Sequence, residues 1–338
     1  MDRRHFSLTV GAGLLGLATG GCTQKIWANS GAHQEAAEAG PHPTANTPYA
    51  ANPRAADAAR HFAALEQATG CRLGVGVIDT HTGMQYGYRQ DERFPMCSTF
   101  KTLASGFVLH RVDQGQERLD RRVRFSSKDL VDYSPGTEKH AGGEGMTVFD
   151  ICAVMTTLSD NTAANLMLAS FGGPAGLTAW LRSIGDKTTR LDRNEPSLNS
   201  AIPGDPRDTT TPAAMAATLR ALALGSVLSA ASREQFVAWL VGNRTGDTRL
   251  RAGVPAGWTV GDKTGTGTHG THNDIAVMWP AGRQAGAGQA DGGKAPGGAT
   301  ARGPVIVTTY LTEAAAAAPA RRDAAIVEVA RWVAASAR

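Results

Sequence analysis

The sequence predicts an α/β fold: an antiparallel sheet built from both chain ends, flanked by helices, with an all-helical lobe inserted between its halves. Three observations predict it. Strand-like runs stand near the start of the folded region (RLGVGVID, MQYGYR) and again near its end (WTVGDKTGTG, NDIAVMWP, PVIVTTYLT). Between them apolar residues recur at helical spacing, and the chain closes on an amphipathic stretch. The expected boundaries are an export signal over 1–22, a flexible linker over 23–53 and a catalytic domain over 54–338. Within that domain an α/β lobe takes 54–97 and 245–338, and a helical lobe takes 98–244.

The elements follow in order. Over Asp57 to Thr69, Ala58, Phe62, Leu65 and Ala68 share one helical face, and Gly70 stops the run. RLGVGVID and MQYGYR flank the polar turn Thr80-His81-Thr82-Gly83, which gives a hairpin. After Pro95 the run from Ser98 to His110 keeps a helical period through Phe100, Leu103 and Phe107. From Thr147 to Gly242 the segments TVFDICAVMTTLS, NTAANLMLASFG, TPAAMAATLRALALG and SREQFVAWLVG read as helices. One polar, proline-bearing segment, RLDRNEPSLNSAIPGDPRDTTT from Arg190 to Thr211, interrupts them, and a loop of that kind inside a compact domain points to function. The later strands alternate, and Arg321 to Ala337 closes the chain as a helix. Ala281 to Gly303, mostly Gly and Ala, reads as a flexible hairpin tip.

With 338 residues, 42% of them hydrophobic, the chain buries a substantial core. Its 34 basic and 30 acidic side chains leave a net charge of +4, interleaved along the chain with no aromatic-basic stripe, so nucleic-acid binding has no support. At the start, Arg3-Arg4-His5-Phe6 and the apolar run from Leu8 to Ala18 form an export signal of the twin-arginine kind, which implies a periplasmic protein. Cys22 behind it is a candidate for acylation by lipid, although Thr19 stands where lipoprotein signals usually carry leucine. Cys71, Cys97 and Cys152 remain, and they read as free buried thiols.

The chemistry-bearing residues begin at FPMCSTFKTLASG. Ser98 and Lys101, three apart, share one helical face, so the amine reaches the hydroxyl, while the helix start favours an oxyanion nearby. A hydroxyl is a weak nucleophile until a base takes its proton, and a lysine among apolar walls and positive charge can be that base. Alone, S-x-x-K is an N-cap serine followed by a surface lysine. Ser159-Asp160-Asn161 alone is a helix cap, and Lys263-Thr264-Gly265-Thr266-Gly267 alone is a strand-edge lysine with turn glycines.

Together, in this order, the S-x-x-K, S-D-N and K-T-G motifs resemble the penicillin-recognising serine enzymes. Glu195 in RNEPSLN, with Asn199 four residues on and Arg193 and Asp208 bracketing the loop, resembles the omega loop of class A serine β-lactamases. So do Tyr133-Ser134-Pro135, Thr137-Glu138-Lys139-His140, IPGDPRDTTTP and the stretch from Val260 to Pro280. The resemblance runs from Arg54 to the C-terminus. It implies hydrolysis of the β-lactam amide of penicillins and cephalosporins through a serine acyl-enzyme, giving antibiotic resistance, by a monomer that uses neither metal nor cofactor.

It further implies roles residue by residue. Ser98 is the nucleophile and Lys101 its activating neighbour, Ser159 relays a proton to the lactam nitrogen, and Glu195 with Asn199 activates water against the ester. Whether Lys101 or Glu195 takes the first proton stays open. The backbone N–H groups of Ser98 and Thr266 form the oxyanion hole. Tyr133 walls the cleft and Asn161 bonds the acylamino group, while Lys263, Thr264, Gly265 and Thr266 bind the substrate. His272 stands where many members carry a carboxylate-binding arginine, and that role passes to Arg249. Cys97 precedes the nucleophile as in class A carbapenemases, yet Gly267 replaces its partner cysteine, and Ser105 leaves Cys152 without the other familiar bridge. The rivals are a penicillin-binding transpeptidase or carboxypeptidase, which Glu195 opposes, and a β-lactam sensor, which needs a transmembrane segment. An esterase lacks support because no G-x-S-x-G elbow occurs.

Overall fold

The computed structural model describes residues 53–282 and 302–337. The expected export signal, all but the last residue of the expected linker, and most of the expected hairpin tip lie outside the described residues. Helix α1 spans Pro53–Thr69. It starts four positions before the expected Asp57, because a proline in the first turn gives up an N–H that no helical partner would have used.

Strands β1 (Arg72–Asp79) and β2 (Gln85–Tyr88) form the hairpin, and the two-residue strand β3 (Phe94–Pro95) follows. Helix α2 (Phe100–Asp113) begins two residues later than the serine of the first motif. Ser98 occupies a single 3-10 turn, Cys97–Thr99, a tightening common at helix starts. The inserted segment then holds β4 (Arg122–Val123), β5 (Met146–Thr147), α3 (Val148–Thr157), α4 (Asn161–Ser170), α5 (Gly173–Ser183), β6 (Thr209–Thr210), α6 (Pro212–Leu224) and α7 (Ala230–Val241). The one-turn α8 (Leu250–Gly253) leads to β7 (Thr259–Thr266), β8 (His272–Trp279), β9 (Val305–Thr312) and α9 (Pro319–Ser336). Among the inserted helices, β4 pairs with β5, and β6 returns to pair with β3.

The main sheet has five strands in the order β2-β1-β9-β8-β7, each neighbour antiparallel. It is therefore built from both chain ends, with β1 and β9 side by side at its centre. Every residue of β8 and β9 is buried, so helices cover both faces. The period-2 alternation of strands divides the core accordingly. Val75, Val307, Leu311 and Met278 face Phe62 of α1 and Val329 and Val333 of α9. Ile78, Ile306, Tyr310 and Trp279 face Phe100, Leu219 and Leu240 of the inserted helices.

The glycines of GVGV leave the inner face of β1 bare. A Cβ at Gly76 would lie 2.8 Å from the Pro212 carbonyl oxygen, so only glycine lets α6 start directly on the strand. Thr308 Oγ1 donates to that same oxygen at 2.8 Å. Carboxylates beneath β7 and β8 hold α8: the Leu250 N–H donates to Asp274 Oδ2 at 3.0 Å, and Arg251 pairs with Asp262.

The polar loop from Arg190 to Thr211 closes on Asp208, which is fully buried. Its Oδ1 accepts the N–H groups of Asp192 and Arg193 at 2.7 and 2.9 Å, and its Oδ2 accepts Arg193 Nε at 2.6 Å. Asp208 has φ +57, a left-handed conformation that asparagine also adopts readily, so Asp208→Asn removes charge without adding backbone strain. Loss of the charge-assisted bonds is expected to cost about 1.5–3 kcal/mol and lower the melting temperature by several degrees. An unchanged melting temperature in Asp208→Asn would show that the loop does not depend on this closure.

Candidate active site

Ser98 is 8% exposed, held at the end of a helix whose Phe100, Leu103 and Leu109 are completely buried. Cys97 before it has φ +46, a conformation that a non-glycine residue keeps only where its surroundings enforce it. One turn further, Lys101 is fully buried. Its Nζ donates to Ser98 Oγ at 3.0 Å, to the Ser159 carbonyl at 2.7 Å and to Asn161 Oδ1 at 2.6 Å, and it lies 3.0 Å from Glu195 Oε1. Burial pushes the Lys101 amine below the ordinary lysine range, and the Glu195 carboxylate works against that shift.

Ser159 joins α3 to α4 with φ +61. Its hydroxyl oxygen accepts from Lys263 Nζ at 3.0 Å and lies 3.4 Å from Lys101 Nζ. Because the Lys263 amine donates to it, the serine's own proton is free to point elsewhere. Next to it, Asp160 accepts the Ala163 N–H as the α4 cap and also the N–H groups of Gly136 and Thr137 at 2.9 Å. That fixes the loop carrying Tyr133, which is 61% exposed. Asn161 Nδ2 donates to the Asp132 carbonyl at 2.8 Å.

The polar loop brings Glu195 to the same place. Asn165 of α4 clamps its backbone from both sides, accepting the Glu195 N–H and donating to the Glu195 carbonyl, each at 2.9 Å. Glu195 Oε1 lies 3.4 Å from Ser98 Oγ, and Oε2 accepts from Asn199 Nδ2. The other end of that amide, Asn199 Oδ1, is buried and has no hydrogen-bond partner among the described residues.

These groups meet in a cleft of about 440 Å³. Ser98, Tyr133, Ser159, Asn161 and Asn199 line it from the inserted segment, and Thr264, Gly265 and Thr266 line it from β7. Thr245 and Arg249, from the stretch before β7, complete it. A Cβ at Gly265 would stand 2.7 Å from the Met96 carbonyl oxygen, so the glycine is what lets β7 close on the turn that carries Ser98. Arg249 is nearly buried, its Nη1 donating to the carbonyls of Gly265 and Asn273 at 3.1 and 2.7 Å and its Nη2 to Thr266 Oγ1 at 2.9 Å. A larger concavity of about 650 Å³ around Lys139 and Asp150 holds no comparable cluster of a hydroxyl, an amine and a carboxylate.

A family model described as the beta-lactamase enzyme family matches residues 57–288. Among solved structures, the ancestral Gram-negative class A β-lactamase is 62% identical with a TM-score of 0.75, covering 82% of this chain and 99% of its own. The chain belongs to the class A serine β-lactamases. Among the relatives, β-lactamase CTX-M-8 of Citrobacter amalonaticus is 49% identical over 270 residues, which is 80% of this chain and 86% of the relative. β-Lactamase FAR-1 of Nocardia farcinica is 56% identical over 222 residues, 66% and 71% of the two chains.

In this class A enzyme all the residues singled out by motif converge, with one difference of placement. Lys263 does not line the cleft; it is fully buried behind Thr264 and Ser159. Asn165, Thr245 and Asp323, whose Oδ1 accepts Arg249 Nε at 3.0 Å, escaped the sequence reading. Asn165 had a signal, since it follows Asn161 by four residues and so shares its helix face. The other two reach the site from segments whose pairing no local pattern announces. The three cysteines of the described residues are free and buried. A Cβ at Gly267 would lie 2.6 Å from Cys97 Sγ, so the two positions are adjacent as the family pattern implies, and only the second thiol is missing.

Burial, reinforced by the charge of Lys101, pushes the Lys263 amine down to about 7. Below that pH the folded enzyme carries a buried charge at a cost. Between about 7 and the ordinary lysine value of 10.5 the unfolded chain binds the extra proton, so folding gains stability as pH rises. Relative to Lys263→Met, the wild type is expected to gain on the order of 2 kcal/mol between pH 7 and about pH 9 in denaturant unfolding. A stability difference that stays constant with pH would contradict a depressed amine.

Proposed function

We propose that this enzyme opens the β-lactam ring of penicillins and cephalosporins by forming an ester on Ser98 and then hydrolyses that ester with water activated by Glu195. The observation that carries the reading is that an amine and a carboxylate both reach one hydroxyl: Lys101 Nζ lies 3.0 Å and Glu195 Oε1 3.4 Å from Ser98 Oγ. In this reading the serine proton passes to Glu195, and the Lys101 amine, 3.0 Å from both oxygens, steadies the serine oxygen as it becomes an alkoxide.

Ser98 Oγ adds to the lactam carbonyl, and the backbone N–H groups of Ser98 and Thr266 receive the resulting oxyanion. The C–N bond breaks as the ring nitrogen takes the proton of Ser159; Lys101, 3.4 Å away, reprotonates Ser159 and takes in turn the Ser98 proton from Glu195 at 3.0 Å, so that the carboxylate is ionised again for the second half. Asn161 serves the acylamino group and Tyr133 walls the cleft. Thr264, Thr266 and Arg249 face the substrate carboxylate, with the buried Lys263 amine behind Thr264. For the second half, the unpartnered Asn199 Oδ1 and the Glu195 carboxylate offer a water two acceptors beside the ester. Glu195 takes its proton as the water oxygen adds to the ester carbonyl, and the C–O bond to Ser98 then breaks with that proton returning from Glu195 to Ser98 Oγ. A transpeptidase has no need of such a carboxylate.

Removing Glu195 separates the two halves. Glu195→Ala is expected to acylate with a penicillin and to hydrolyse the ester at least about 100-fold more slowly, so that a mass increase of one intact penicillin appears on the protein. Ser98→Ala gains no mass. Brisk turnover by Glu195→Ala with no trapped adduct would overturn this division of labour.

The same reading places the enzyme in the periplasm, exported by the Arg3-Arg4 signal and anchored through lipid on Cys22. The support is the sequence alone: twin arginines, an apolar run, then a cysteine before a stretch rich in Ala, Pro, His, Asn and Thr. Labelled palmitate is expected to mark the wild type and to be absent from Cys22→Ala, which leaves the membrane fraction. Equal membrane association of the two would sink the anchor.

A further inference from the structure

The two N–H groups assigned to the oxyanion sit on separate pieces of chain, Ser98 on the turn before α2 and Thr266 at the end of β7. One side chain of the sheet ties those pieces together. Asn273 of β8 stands opposite Gly265 of β7 on one side and Tyr310 of β9 on the other, and it is fully buried. Its Nδ2 donates to the Pro95 carbonyl at 2.9 Å and to the Met96 carbonyl at 3.1 Å, while its Oδ1 accepts the Leu311 N–H at 3.3 Å. Two carbonyls at one end of the amide and an N–H at the other fix which end is nitrogen. Both amide protons are spent on the segment that leads into Ser98.

Successive carbonyls of an extended strand point to opposite sides, so one amide group takes two in a row only where the strand has ended. Strand β3 ends at Pro95, and Met96 has turned to φ −72 and ψ −36. Asn273 grips that corner. The Met96 carbonyl also accepts the Thr99 N–H at 3.2 Å and the Thr99 hydroxyl at 2.9 Å, which closes the turn holding Ser98. A peptide unit is planar, so fixing this carbonyl fixes the plane from which Cys97 departs at φ +46, and the Ser98 N–H comes next along the chain. We propose that Asn273 is a positioning residue for the oxyanion: by holding the Met96 carbonyl from β8 it sets the direction of the Ser98 N–H and its spacing from the Thr266 N–H. Strand register keeps Thr266 beside Gly265, directly across from Asn273, so the side chain spans from one donor's strand to the other donor's turn. Without its two amide protons the left-handed backbone at Cys97 is free to relax, and the Ser98 N–H rotates away from the point on which both donors converge. The inference rests on the reading that these two N–H groups receive the oxyanion.

Steady-state kinetics with a simple penicillin and inhibition by phenylboronic acid, whose boron takes the Ser98 oxygen and becomes a tetrahedral anion, test it on Asn273→Ala and Asn273→Asp. An oxyanion forms in both halves of the reaction and is absent from the bound ground state, so kcat per titrated active site is expected to fall at least about tenfold with KM within about threefold of wild type. The boronic acid is expected to lose affinity by a similar factor. Asn273→Asp keeps the shape and the acceptor for Leu311 but not the two donors, so it falls as far as Asn273→Ala. Asn273→Ser keeps one donor, loses less, and carries the test should the other two fail to fold. Wild-type kcat per site in the folded variants overturns the positioning role, as does a kcat loss with boronate affinity intact or a loss explained by fewer titratable sites alone. A wild type that takes neither penicillin nor boronate on Ser98 overturns the oxyanion reading itself, and the role of Asn273 falls with it.

Discussion

The site depends on keeping two lysine amines, Lys101 and Lys263, wholly out of water. Taking an amine's charge from solvent costs several kcal/mol even after relaxation, unless partners replace the lost hydration. For Lys101 those partners are the Ser159 carbonyl, the Asn161 amide and the Glu195 carboxylate. Each is also a piece of the chemistry. Glu195 is held there by a loop that Arg193 and Asp208 close and by Asn165, which clamps its backbone. The left-handed turn at Ser159 is required for the same reason, since it turns both a carbonyl and a hydroxyl toward the lysines. Stability and catalysis therefore draw on the same few atoms.

Much of this was legible along the chain. The strands matched closely because period-2 burial, β-branched residues and bounding glycines agree there, as in RLGVGVID, which is β1 residue for residue. The helical periods located α2, α3, α4, α6, α7 and α9. Helix α5 was missed, although Leu177, Trp180 and Leu181 have helical spacing, because its opening Gly-Gly-Pro reads as a turn. The one-turn α8 was missed for a different reason. It is too short to show a period and exists because Asp262 and Asp274 hold it from below.

In the site, legibility followed sequence distance. Ser98 and Lys101 are neighbours on one helix face, so their meeting could be read directly. Glu195 was reached through the pattern of its loop rather than through any spacing to Ser98. That Lys263 serves from beneath Ser159, and that Asp323 stands behind Arg249, depend on how β7, β8 and α9 stack. Those are tertiary facts without a local signature, and Asp323 in particular reads as the polar face of a terminal helix.

The strand order carries a consequence for the birth of the protein. Because β9 separates β1 from β8, the first strand made has no path to β7 except through one of the last. A chain emerging from the ribosome can assemble the inserted helices early, since their contacts are local. It cannot unite Ser98 with Thr264, Thr266 and Arg249 on a finished sheet until β9 has slotted into the centre and α9 has covered it. A nascent chain short of that point carries the sequence of all three motifs and no reactive centre.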